Sequence, residues 1–209
     1  MQLDLFNIAE IKTTPEENKP QLSIPFQGLT YLPNFISDEE HSFLWEAINN
    51  ENWLSDLKRR VQHYGYKYDY RKRSIDYSMY LGEIPKWTNF ITQRIFENGL
   101  IKIIPDQVIV NEYLPGQGIA DHVDCEPCFD GIVISLSLGS PCIMEFKKKF
   151  DRNNKFDLLL EPKSLVVLQG DARYNWTHGI VGRTTDNWQG ETLIRKTRIS
   201  LTFRKVILN

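Results

Sequence analysis

A chain of 209 residues is long enough to bury a core of its own without disulfides or a structural metal. Its 41% hydrophobic and 25% charged residues are ordinary for a globular protein, and a net charge of −2 excludes a global pull toward nucleic acid, so such binding needs a local basic patch. No apolar run approaches the roughly 20 residues that span a bilayer, Met1–Phe6 lacks the regions of a signal peptide, and three cysteines fit a reducing compartment, so a cytoplasmic protein without membrane contact is expected.

Residues 1–30 read as an N-terminal arm, extended over 7–27, where Pro15, Pro20 and Pro25 interrupt a polar stretch. Ser37-Asp38-Glu39-Glu40 is a capping box, and Phe43, Leu44, Ala47 and Ile48 recur at helical spacing, which predicts a helix over 38–50. A second helix is predicted from Pro85 to Asn98, with Phe90, Ile91 and Ile95 on one face and Gly99 ending it. Between them, Lys58–Arg73 holds seven Lys or Arg against one Asp, with four tyrosines interleaved. Such a segment suits phosphates and unpaired bases, and equally a solvated hairpin whose tyrosines cover a core edge.

From Gln107 onward short β-branched or aromatic runs follow one another: 108–110, 132–138, 142–146, 156–160, 164–168, 174–178 and 198–204. Asp151–Lys155 and Thr184–Glu191 are expected as polar loops between them. Strands at this spacing predict a sandwich or jelly-roll barrel. The simplest partition is 1–30 as arm, 31–106 as helical extension and 107–209 as β core, with 31–209 acting as one domain.

Asn111–Asp124 ends in His122-x-Asp124, which offers an imidazole and a carboxylate on one face of an extended segment. His178 is the one histidine that follows, and two histidines with one carboxylate form the facial triad of non-haem Fe(II). Arg198, Ser200, Thr202 and Arg204 share one face of the last strand, where buried arginines need anionic partners unless the strand is an exposed edge. Cys125-x-x-Cys128 directly follows Asp124. A zinc site with His122 lacks a fourth ligand at suitable spacing, and free, peroxide-sensitive thiols beside an oxidising centre are expected instead.

These marks together resemble the AlkB family of Fe(II)- and 2-oxoglutarate-dependent dioxygenases, from the end of the first helix to Val206. The resemblance rests on Asn111-x-Tyr113-x-Pro115-Gly116, His122-x-Asp124, Ile134–Gly139, Gly170-x-x-Arg173, His178-Gly179-Ile180 and Arg198-x-Ser200-x-Thr202-x-Arg204, with His178 placed 54 positions after Asp124.

The resemblance implies a mainly β fold with flanking helices, a double-stranded β-helix core carrying an N-terminal helical extension and a nucleotide-recognition lid. It implies iron held by His122, Asp124 and His178, and 2-oxoglutarate and O2 as co-substrates. Asn111, Tyr113, Arg198, Ser200, Thr202 and Arg204 would hold the 2-oxoglutarate; Ser200 departs from the asparagine of bacterial repair members. The lid falls on the basic segment. Arg59, Arg60, Tyr64, Tyr66 and Tyr68 there, with Glu126, would contact the substrate; Arg59 occupies the place of a base-stacking tryptophan, leaving open which side chain stacks. The implied activity is oxidative demethylation of N-alkylated bases by a monomer, on single-stranded DNA first. The same chemistry on RNA or tRNA, and a non-catalytic RNA-binding module of the same fold, are the alternatives.

Overall fold

The computed structural model describes residues 24–55 and 57–208, so most of the expected arm lies outside the described residues. In chain order the elements are β1 (Leu29–Leu32), α1 (Asp38–Asn49), β2 (Val61–Tyr64), α2 (Asn89–Glu97), β3 (Gln107–Tyr113), β4 (Ile119–His122), β5 (Phe129–Gly139) and β6 (Cys142–Lys148). They continue with β7 (Asp151–Leu160), β8 (Leu165–Gln169), α3 (Gly170–Tyr174), β9 (Trp176–Ile180), β10 (Thr185–Trp188), β11 (Glu191–Ile194) and β12 (Arg198–Val206).

Two antiparallel sheets make the barrel. The larger has the order β1-β8-β5-β12-β3-β2 and the smaller β4-β9-β6-β7. This is the expected jelly roll. Because β1 pairs with β8 and β2 with β3, chain from before residue 107 forms both edges of the larger sheet.

Period-two alternation decides what each face of that sheet does. On β12, Ile199, Leu201 and Phe203 join Ile134, Leu136 and Leu138 of β5 and Val108 and Val110 of β3 in a core that Leu44, Ile48, Ile91 and Ile95 of the helices cover. The opposite face of β12 carries Arg198, Ser200, Thr202 and Arg204 toward the barrel interior, where all four are buried and line one cavity. A second core between the sheets holds Val133, Val166 and Leu168 against Met144, Phe146, Trp176 and Ile180. Phe26 closes it by stacking on Trp176, ring centroids 3.9 Å apart.

The helices form for local reasons. Ser37 Oγ accepts from the Glu40 N–H, and the Ser37 N–H donates to the Glu40 carboxylate, so the capping box is complete. Three acids in the first turn of α1 suit the helix dipole. Arg94 of α2 donates to that same Glu40 and to the Phe35 carbonyl, tying the two helices together.

Three expectations are corrected. Asp151–Lys155 is no loop but the start of β7, paired with β6 through an irregular register. Thr184–Glu191 is mostly strand, forming with the residues after it the β10–β11 hairpin. The run 174–178 begins as the short helix α3 and becomes strand only at Trp176. The first two misread strands have mixed or exposed side chains; an edge strand or lone hairpin needs no apolar alternation, which removes the signal that reveals a buried strand.

Gly65 ends β2 at φ +78°, and a Cβ there would sit 1.8 Å from the Asp106 carbonyl oxygen. Gly65→Ala should therefore lower the unfolding free energy by roughly 1–3 kcal/mol. A urea midpoint equal to wild type would contradict this reading of the β2 edge.

Candidate active site

Between the two sheets lies a cavity of about 610 Å³. The smaller sheet brings His122 at the end of β4 opposite His178 of β9, to which it is paired in register. Asp124 lies just past the end of β4 rather than within it. Gly179 permits this approach: a Cβ there would meet the Asp121 carboxylate at 2.5 Å and its backbone N at 3.0 Å.

Ligand atoms of His122, Asp124 and His178 lie within 4.8 Å of one another, and this is the group of three such side chains found among the described residues. His178 Nε2 faces Asp124 Oδ2 at 3.6 Å. His122 Nδ1 lies 2.9 Å from the Ala120 carbonyl, a contact that assigns the proton to Nδ1 and leaves the Nε2 lone pair for a metal. Burial, then the neighbouring His122, pushes the His178 pKa down to about 3, so its ring is neutral and a competent ligand. Burial alone would raise the Asp124 pKa, but Arg204, His178, His122 and Arg173 together outweigh burial and hold the carboxyl well below the usual range.

Arg204 donates to Asp124 at 2.6 Å, Arg173 donates to the Asp124 backbone carbonyl at 3.0 Å, and Arg198 donates to Ser137 Oγ at 2.8 Å. The Nε atoms of Arg173, Arg198 and Arg204 are buried with no hydrogen-bond partner among the described residues. Arg198 and Arg204 line the cavity, where Asp124 is the one buried carboxylate and Asp121 and Glu126 are more exposed, so two buried guanidinium groups leave room for a further anion. Tyr113 lies 5.5 Å from the guanidinium carbons of both Arg198 and Arg59, and burial raises its pKa. Ser200 Oγ meets Ser135 Oγ at 2.9 Å, and Thr202 lies beside them in the cavity wall. Asn111 accepts from Arg59 Nε at 2.8 Å. A divalent metal on the triad and a dicarboxylate against the arginines both fit these residues.

The remaining expected residues divide. Arg59, Tyr68 and Glu126 line the cavity. Arg60 does not: it bonds the buried Glu112 at 2.6 and 2.7 Å and lies over the Trp53 ring. Tyr64 packs on Trp87 and donates to Gln62, while Tyr66 packs on Tyr80, and neither reaches the cavity. Strand alternation explains Tyr64, whose face of β2 turns to the helices. Tyr70 and Arg73, from the same basic segment, line the cavity in their stead. Their signal was the composition of the segment, which named no single residue.

The Cys125–Cys128 pair is a disulfide rather than two free thiols, its Cα atoms 5.3 Å apart across one tight turn. Both sulfurs lie 3.2–3.3 Å from the Arg73 carbonyl.

A jelly roll that presents two histidines, a carboxylate and buried arginines to one cavity defines a non-haem iron oxygenase with an acidic co-substrate. Comparison with known proteins agrees, since residues 49–204 match the 2OG-Fe(II) oxygenase superfamily. Over 208 residues the chain is 37% identical to the Alkylated DNA repair protein ALKBH8 homolog of Arabidopsis thaliana, covering 89% of this chain and 60% of that one. It is 36% identical over 203 residues to the tRNA (carboxymethyluridine(34)-5-O)-methyltransferase ALKBH8 of Mus musculus, covering 86% of this chain and 30% of that one. The chain thus spans less than two thirds of the plant relative and under a third of the mouse one. The solved structure of OsALKBH1 shares the fold, with a TM-score of 0.66 at 18% identity over 85% of this chain and 96% of that one. The chain belongs to the AlkB family of Fe(II)- and 2-oxoglutarate-dependent dioxygenases, and it is an enzyme that uses Fe(II), 2-oxoglutarate and O2.

Two outcomes follow from this geometry. Arg173→Lys should weaken Fe(II) affinity about 10–100-fold by loosening the Asp124 loop, with the fold intact; a titration unchanged from wild type contradicts that role. Between the ordinary histidine pKa of 6.5 and about 3, the unfolded chain binds a proton that folded His178 excludes. Stability of the metal-free protein should therefore fall as pH drops through that window, by up to about 1.4 kcal/mol per pH unit, and His178→Gln should flatten the slope in thermal melts.

Proposed function

We propose that this enzyme oxidatively demethylates N-alkylated bases in single-stranded nucleic acid, with RNA as the first choice and DNA as the second. The observation that carries the reading is the cavity, whose floor is the His122, Asp124 and His178 group and whose lid side supplies Arg59, Tyr68, Tyr70 and Arg73. A flat ring entering there meets aromatic edges and guanidinium planes on the way to the triad. The sequence expectation put DNA first, and the name of the plant relative supports that order. The mouse relative is named for a tRNA uridine, which moves RNA ahead. Its methyl transfer is not an oxygenase activity and is not carried over.

His122, Asp124 and His178 would hold the iron, which with 2-oxoglutarate and O2 supplies the oxidant while the co-substrate leaves as succinate and CO2. One oxygen atom ends in succinate and the other on the substrate methyl carbon. The hemiaminal so formed breaks its C–N bond, releases formaldehyde and leaves N–H on the base. Arg198 would take the distal carboxylate of 2-oxoglutarate with Tyr113 beside it. Arg204, already fixed to Asp124, would face the other end, and Ser200 and Thr202 would flank the molecule. Asn111 links this floor to the lid through Arg59. Glu126 bonds Lys149 at 3.2 Å, and it would exchange that partner for the base.

Formaldehyde release from matched N-methylated single-stranded RNA and DNA oligonucleotides tests the order. Faster release from RNA is expected, release from DNA alone would restore the DNA reading, and release from neither would overturn the substrate class. Asp124→Ala should abolish release and keep most nucleic-acid binding. Loss of binding alone would favour a non-catalytic module.

A further inference from the structure

The β6–β7 hairpin carries features that the oxygenase chemistry leaves unused. Its turn is only Lys149 and Phe150, between the paired Lys148 and Asp151. Phe150 is 94% exposed, the highest value among the exposed large hydrophobic side chains of the described residues. A ring held in water contributes nothing to the core. Around it Lys147, Lys148, Lys149, Arg152 and Lys155 crowd into nine residues with one carboxylate, Asp151.

The hairpin is fixed beside the cavity. Lys147 and Arg152 both donate to Asp121, the residue before His122, at 2.9 and 2.6 Å. The Lys149 N–H donates to the Asn175 carbonyl at 2.8 Å, and its side chain lines the cavity. The lid on the larger sheet supplies one basic wall of the mouth, and this hairpin on the smaller sheet supplies another.

We infer that the β6–β7 hairpin is a second nucleic-acid contact, in which Phe150 stacks on an unpaired base beside the target nucleotide and Lys148, Lys149 and Arg152 lie along the adjoining phosphates. The inference rests on the nucleic-acid reading above and extends it beyond the cavity. An exposed aromatic ring among cations is what sequence-tolerant single-strand binding needs, because every base has a face to stack and every phosphate a charge to neutralise. Lys147 pairs with Asp121 and Glu145, Lys149 with Glu126 and Arg152 with Asp121. A polyanion would draw Lys149 and Arg152 from solvent-facing pairs and add to Lys148, and the continuity of the hairpin with the cavity favours a polyanion that enters it.

Fluorescence anisotropy of the full chain with labelled oligouridylate and oligothymidylate tests it. Phe150→Ala should bind about tenfold more weakly to whichever strand wild type binds, and Phe150→Trp should restore binding. Because the ring is exposed, the variant should melt as wild type does, so weak binding cannot be blamed on misfolding. Equal binding by wild type and Phe150→Ala overturns the hairpin contact and leaves the proposed function standing. Failure of wild type to bind either strand overturns both. Self-association that Phe150→Ala abolishes also overturns the inference, since the ring would then serve a second copy of the chain.

Discussion

The site depends on one ion pair, Arg204 with Asp124, buried inside the barrel at 2.6 Å. A carboxylate taken out of water is costly unless a charge and hydrogen bonds replace its hydration, and Arg204 does this from β12 while Arg173 grips the backbone behind it. Asp124 therefore stays ionised and aimed at the two histidines. The pair also leaves an imbalance. Arg173, Arg198 and Arg204 bring three buried guanidinium groups to a region with one buried carboxylate, and each has an unspent Nε. The barrel can tolerate so many cations only where an anion completes them, which is the physical reason for an acidic co-substrate.

The geometry beyond the triad follows from how that pair is held. β12 lies between β5 and β3, so its apolar face is fixed by the helices and its polar face has no freedom to turn outward. The basic segment is tied to the same floor through Arg59 on Asn111, and its Arg73 carbonyl lies against the Cys125–Cys128 bridge. The basic segment and the His122, Asp124 and His178 group therefore meet within a few residues of Asp124, on the wall of one cavity.

Where one face of a strand is buried, the sequence was legible. Arg198, Ser200, Thr202 and Arg204 alternate with Ile199, Leu201 and Phe203, and that alternation puts both arginines on one face, while the place of β12 between β5 and β3 turns that face to the interior. The His122, Asp124 and His178 group was legible from spacing and residue type. What failed lacked a buried face or turned on side-chain direction. Asp151–Lys155 and Thr184–Glu191 are largely polar, and that composition predicts loops where the structure has strand. In the basic segment composition leaves a substrate contact and a solvated hairpin both open, and which tyrosine enters the cavity depends on the side of β2 and of the turn that follows. Tyr70 and Arg73 enter, while Tyr64 and Tyr66 support, and Arg60 serves the buried Glu112. The Cys pair was misread because spacing shows that two thiols can meet, not whether they join.

The most direct test of this account is a calorimetric titration of 2-oxoglutarate into the protein with and without Mn(II), a redox-inert stand-in for Fe(II). If the buried arginines and the triad bind one co-substrate together, Mn(II) should tighten 2-oxoglutarate binding, and Arg198→Met should weaken it in both conditions. Binding that ignores both the metal and Arg198 would contradict the claim that the cavity's buried guanidinium groups hold a dicarboxylate against the metal.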